Sequence, residues 1–120
     1  MAKTATDPGY AACPIRNIVD RFGDKWSLLV LYNLHTGGRL RFSEIHRRMT
    51  DISQKMLAST LRRLEQDGLL SRTVYPEVPP RVEYTLTETG YSLKPILDSM
   101  VDWGTNYKQQ NAAQEERHDS

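Results

Sequence analysis

Two helix-start signals, Ser43 and Ser53, stand ahead of two short amphipathic stretches with only the turn TDI between them, and this tandem restricts the fold more than any other feature of the chain. In the first stretch, EIHRRM, Ile45 and Met49 are four apart and fall on one helical face. The second runs to about Gln66, with Leu57, Leu61 and Leu64 at i, i+4 and i+7. Gly68 supplies the left-handed residue that ends such a helix. Each helix has one apolar stripe and must bury it against the rest of the chain.

The flanking segments supply that remainder. Pro14 at a first helical position and Gly23 at an end bracket a short helix whose Ile15, Ile18, Val19 and Phe22 share a face. Asp24 is placed to cap the next helix, in which WSLLVLYNL is apolar almost all round, the pattern of a core helix stopped by Gly37 and Gly38. Leu40 to Phe42 is long enough only for an edge strand, and Ser43 is then expected to cap the first helix of the tandem. After the tandem, LLSRTVY and RVEYTL are rich in β-branched and aromatic residues, and the PEVPP between them reads as the stiff tip of a hairpin. Thr87 is expected to cap a single last helix with a broad stripe of Leu93, Ile96, Leu97, Met100, Val101 and Trp103. With 38% hydrophobic residues in 120, there is material for one modest core, too little to cover that stripe as well. The surplus apolar faces of the first and last helices imply a partner subunit.

Helix, helix, short strand, helix, turn, helix and hairpin, in that order, define a mainly α chain with a small β-hairpin, a winged helix-turn-helix. In that fold the second helix of the tandem enters the DNA major groove. Opposite its leucines stand Lys55, Ser59 and Arg62, again at i, i+4 and i+7, with Arg63 on the flank. Arginine and lysine donate to guanine edges or phosphates, and Ser53 and Gln54 at the helix start are placed to reach bases or a phosphate. The net charge of +1 conceals an uneven distribution: residues 39–72 carry eight arginines and lysines against four acids, whereas residues 73–120 carry four against eight. A positive middle on a neutral molecule suits a polyanion.

The stretches CPI, GDKWSLLVLYNL, RFSEIHRRM, ISQKMLASTLRRLEQDGLL and SRTVYPEVPPRVEYTLTETG closely resemble the HxlR family of bacterial transcriptional regulators over roughly residues 13–104. The resemblance implies a homodimer joined by its N- and C-terminal helices, which binds double-stranded operator DNA through a recognition helix that begins at ISQKML. It also makes VPPRVEY the wing and its far strand. Arg81 is then best placed for a minor groove or phosphate, against the alternative of a salt bridge to Glu77 or Glu83. Arg41, Arg47 and Arg48 are expected to serve backbone phosphates, unless one of them pairs with Glu44.

Cys13, the single cysteine, precedes Pro14 at the expected helix start, where unpaired amides and the helix dipole favour a thiolate. Several regulators that resemble this chain, though not all, sense oxidants or electrophiles through a cysteine at CP, so an oxidant or small-molecule effector is one reading. A buried interface thiol is the other.

Other classes find little support. His35, His46 and His118 lie in different elements without triad or metal-ligand spacing, so no enzyme, metal or cofactor is expected. A winged helix that binds only protein is the rival reading, but it calls for an acidic or apolar recognition helix. No run of about 18 apolar residues exists for a membrane span and the N-terminus lacks a signal peptide, so the expected compartment is the cytoplasm. Residues 1–12 and 109–120 are expected to be flexible arms around one domain, 13–108.

Overall fold

The computed structural model describes residues 14–119, so Cys13 and the arm 1–12 lie outside the described residues. Helix α1 (Pro14–Phe22) closes where the Gly23 N–H donates to the Val19 carbonyl at 3.0 Å. Helix α2 (Lys25–Gly37) starts on Asp24, whose carboxylate accepts from the Ser27 N–H at 3.0 Å. It ends on Gly38, where φ is +78°. Strand β1 (Arg39–Arg41) leads directly into α3 (Phe42–Arg48), and α4 (Gln54–Gln66) follows after the turn. Ser53 caps α4 through a bond from the Met56 N–H to its Oγ at 3.0 Å, and Gly68 takes φ +78° just beyond the end. Both glycines hold backbone conformations that a side chain would strain.

Strands β2 (Leu70–Tyr75) and β3 (Arg81–Leu86) form the hairpin, and β1 pairs with the other side of β3, giving a three-stranded antiparallel sheet in the order β1-β3-β2. The register sets Leu40 against Tyr84, Arg72 against Tyr84 and Leu70 against Leu86. Period-two alternation therefore turns Leu40, Leu70, Tyr84 and Leu86 to the interior, where all four are buried. The opposite face carries Arg39, Arg41, Arg81 and Glu83.

Two expected helix starts are corrected. Ser43 does not cap α3; the helix begins two residues earlier than expected, at Phe42, and the Arg41 N–H donates to the Glu44 carboxylate at 2.8 Å. Arg41 is still strand, so the acidic residue three positions on takes over the free amide. The single last helix is also two: Thr87 caps only α5 (Glu88–Tyr91), and α6 (Lys94–Asp119) starts anew. Pro95 explains the break, because it has no N–H for the Tyr91 carbonyl and its ring would collide with that oxygen in a continuous helix. Gly90 meanwhile lies so near β2 that an added Cβ would stand 2.1 Å from the Leu69 carbonyl oxygen. Helix α6 continues past residue 108, because Gln, Asn, Ala and Glu are all compatible with a helical backbone.

The core gathers Val30, Leu31 and Leu34 of α2, Ile45 and Met49 of α3, Leu57, Leu61 and Leu64 of α4, and the inner face of the sheet. Leu97 is the residue of α6 buried there, with Leu93 packed against it. Ile15, Ile18 and Val19 of α1 and Ile96, Met100, Val101 and Trp103 of α6 remain exposed.

Candidate nucleic-acid interface

Helix α4 is held rigidly before it meets any ligand. Leu57, Leu61 and Leu64 are buried on one side, joined by Thr60, whose hydroxyl donates to the Met56 carbonyl at 2.8 Å. The turn ahead of it is pinned: Ile52 is buried, and Nε2 of His46 donates to the Ile52 carbonyl at 2.9 Å while its ring stacks on Phe42. Gln54, Lys55, Ser59 and Arg62 are all exposed on the other side, as the spacing requires. Lys55 and Arg62 make no ion pair or side-chain hydrogen bond among the described residues.

The remaining predicted residues are engaged differently. Ser53 is exposed, but its Oγ is used by the helix cap. Arg63 turns back toward α2, where its guanidinium lies 3.0 Å from Asp24 and donates to the Ser27 hydroxyl. Burial alone would raise the carboxyl of Asp24. The bonds from the Ser27 side chain and backbone, together with the charge and hydrogen bond of Arg63, outweigh burial and hold it below the ordinary 3.8. Arg47 and Arg48 make long local bonds of 3.4 Å, to the Ser43 carbonyl and the Thr36 hydroxyl. Arg41 is exposed, and Glu44 is occupied by its backbone amide.

On the hairpin, both salt bridges weighed for Arg81 occur, to Glu77 at 3.4 Å and to Glu83 at 3.8 Å, and the guanidinium also lies over the Tyr75 ring at 4.2 Å. Arg39 reaches the same acid at 3.7 Å and donates to the Tyr75 hydroxyl. Glu83 therefore sits between two arginines with its side chain only 14% exposed. Sequence reasoning left Arg39 and Arg72 out of the site. Strand alternation from Leu70 puts Arg72 on the inner face, but which elements meet it there depends on the packing of α4 against the sheet.

A solvated, positively lined helix beside a three-stranded sheet, in this element order, matches known proteins closely. The HxlR-like helix-turn-helix profile covers residues 21–112. The chain belongs to that family. An HTH-type transcriptional regulator of Methanothermobacter thermautotrophicus is 52% identical over 116 residues, spanning 87% of this chain and 88% of its own. Among solved structures, the redox regulator HypR in its reduced form superposes with a TM-score of 0.77 at 40% identity, covering 84% of this chain and 99% of the other. The diamide-treated YodB of B. subtilis superposes with a TM-score of 0.65 at 38% identity, covering 79% and 94%. This HxlR-type chain is thus a DNA-binding transcriptional regulator with a winged helix-turn-helix. No helix of the described residues is long and apolar enough to cross a membrane.

Proposed function

We propose that this regulator binds a two-fold operator as a homodimer in the cytoplasm, acting by binding and not by catalysis, with residues 13–108 as its working unit. The observation that carries the reading is the free, exposed row of Lys55, Ser59 and Arg62 on a helix whose opposite side is locked into the core. Lys55, Ser59 and Gln54 face the major groove, Arg62 at the far end of the row donates to a base edge or to the bordering phosphate, and Ser53 and its neighbouring amides approach a phosphate. Arg41, Arg47 and Arg48 lie against the backbone, where weak local bonds exchange easily for phosphate oxygens. Arg81 serves the wing, already ordered by Tyr75 and its two acids. Arg63 contributes mainly by fixing the angle between α4 and α2.

Cys13 is the proposed switch. Its place ahead of α1 couples a thiol to a helix with an exposed apolar face, and the likeness to HypR and to a diamide-treated YodB supports an oxidant as the signal. Oxidation to an intersubunit or mixed disulfide would move one protomer against the other and change the spacing of the two recognition helices.

The test is selection of bound duplexes from a random pool, with and without diamide, followed by fluorescence anisotropy on the selected operator. Arg62→Ala or Lys55→Ala should cost about 1 to 3 kcal/mol of binding, and Arg81→Ala should weaken it through the wing. Diamide should alter binding by the wild type and leave Cys13→Ser unaffected. Equal affinity in all three arginine and lysine variants would move the interface elsewhere, and a DNA-blind chain with a stable protein partner would favour the interaction module. Equal responses to diamide in wild type and Cys13→Ser would remove the sensor role alone.

A further inference from the structure

Ala58, Arg62 and Glu65 follow one another at i, i+4 and i+7 along α4, on the flank that looks toward the hairpin. With Arg72 and Tyr84 of the sheet and Phe42 at the start of α3, they line an open cleft of about 340 Å³. Two arginines thus converge from two separately anchored elements: Arg62 from a helix fixed by three leucines, and Arg72 from the strand position opposite Tyr84. Most other arginines around the site are engaged, Arg39 and Arg81 with Glu83, Arg63 with Asp24, and Arg47 and Arg48 with local oxygens. Arg62, Arg72 and Glu65 make no ion pair or side-chain hydrogen bond among the described residues. The cleft therefore carries two unneutralised cations against one carboxylate, with aromatic rings on its wall.

The docking geometry says what such a cleft meets. When α4 lies in a major groove and the hairpin points to the adjacent minor groove, the sugar-phosphate strand separating those grooves must pass between helix and hairpin. That strand crosses the mouth of this cleft. From this juxtaposition, and resting on the DNA-binding reading above, we infer that Arg72 and Arg62 together clamp a DNA backbone phosphate, while Phe42 and Tyr84 give the adjoining deoxyribose an apolar wall. Arg72 is thereby a positioning residue: it sets how deeply α4 sits in the groove and reads no base. Glu65 limits the clamp, keeping the cleft from holding anions indiscriminately.

The full-length chain tests this by anisotropy over a salt series, on a selected operator and on a random duplex. Arg72→Ala should weaken both about tenfold, the size of one lost charge-assisted contact. It should also reduce the slope of log K against log salt by about 0.9, the value for one phosphate released. Arg72→Lys should restore most of the slope, since a point charge suffices for a phosphate. Replacing single operator phosphates by neutral methylphosphonates should reveal one position per half-site that weakens the wild type clearly more than it weakens Arg72→Ala, in which only the Arg62 contact is left to lose. Arg72 is exposed, and a matching melting temperature verifies that the variant is folded. An Arg72→Ala protein with wild-type affinity and slope, alongside a weakened Lys55→Ala, overturns the clamp and leaves the recognition helix in place. A wild type that ignores every duplex overturns the DNA reading and the clamp with it.

Discussion

Asp24 does two tasks with one carboxylate. Oδ2 caps α2 through the Ser27 N–H, and Oδ1 receives Arg63 from α4, so a local helix signal is tied to the angle between two core helices. Asp24→Ala removes the cap acceptor and leaves Arg63 without its ion pair; the cap alone should cost about 1 kcal/mol at neutral pH. The pair adds little, because both side chains are more than two-fifths exposed and solvent screens them. The sign of the pH dependence follows from the depressed carboxyl. Above the ordinary value of 3.8 the folded state gains its full contribution, and that contribution is lost as pH falls through the still lower folded value. The gap in melting temperature between wild type and Asp24→Ala should therefore be constant from neutral pH down to that region and narrow only below it. A gap that narrows already near pH 6 would place its origin in another group.

At the scale of elements, the outer face of the sheet, with Arg39, Arg41 and Arg81 against Glu83, is a positive surface under partial restraint. Glu83 lies within 4 Å of both Arg39 and Arg81, so a single carboxylate neutralises part of the wing and orients what is left. Its replacement separates those two roles. Glu83→Gln should tighten binding to random duplex and steepen its salt dependence by about 1 in log K against log salt, since one more cationic charge becomes free to displace a counterion. Binding to the selected operator should gain less, because Arg81 loses one of the partners that direct it. Anisotropy on the two duplexes measures both effects. An unchanged slope on random DNA would mean that the outer face of the sheet points away from the phosphates.

For the whole molecule, the decisive feature is apolar surface that the described residues leave uncovered. Ile15 is 73% exposed, Trp103 67% and Ile96 55%, and they belong to helices at opposite ends of the sequence. Trp103 and Tyr107 stack with centroids 5.1 Å apart, extending the stripe outward along α6. So much exposed aromatic and aliphatic surface is a liability in a monomer and a ready interface in a two-fold dimer. Light scattering at micromolar concentration should give twice the chain mass of 13.8 kDa. Ile96→Asp combined with Trp103→Asp should yield monomers that keep the helix content of the wild type and lose operator affinity, because half-sites about 34 Å apart need two linked recognition helices. A wild type that is monomeric throughout that range would remove the dimer.

What the sequence determined by itself is everything that depends on neighbours along the chain. Caps at Asp24 and Ser53, stops at Gly38 and Gly68, the leucine stripe of α4 and the alternation of the hairpin are set within a few residues, and the exposed row Lys55, Ser59 and Arg62 follows from the same 3.6-residue period. Where two local signals compete, proximity along the chain was insufficient: Ser43 yielded to the Arg41 amide and Glu44, and Pro95 divided a helix that its apolar stripe marked as continuous. Which arginines beside the recognition helix stay unpaired among the described residues was settled by packing in space. Arg63 and Arg62 are adjacent in sequence, yet about 100° of helical rotation sends one to Asp24 on α2 and the other into a cleft shared with Arg72 of β2. A guanidinium's availability depends on which carboxylates and strands come within a few ångströms through space, and that is settled when α4 packs against α2 and the sheet.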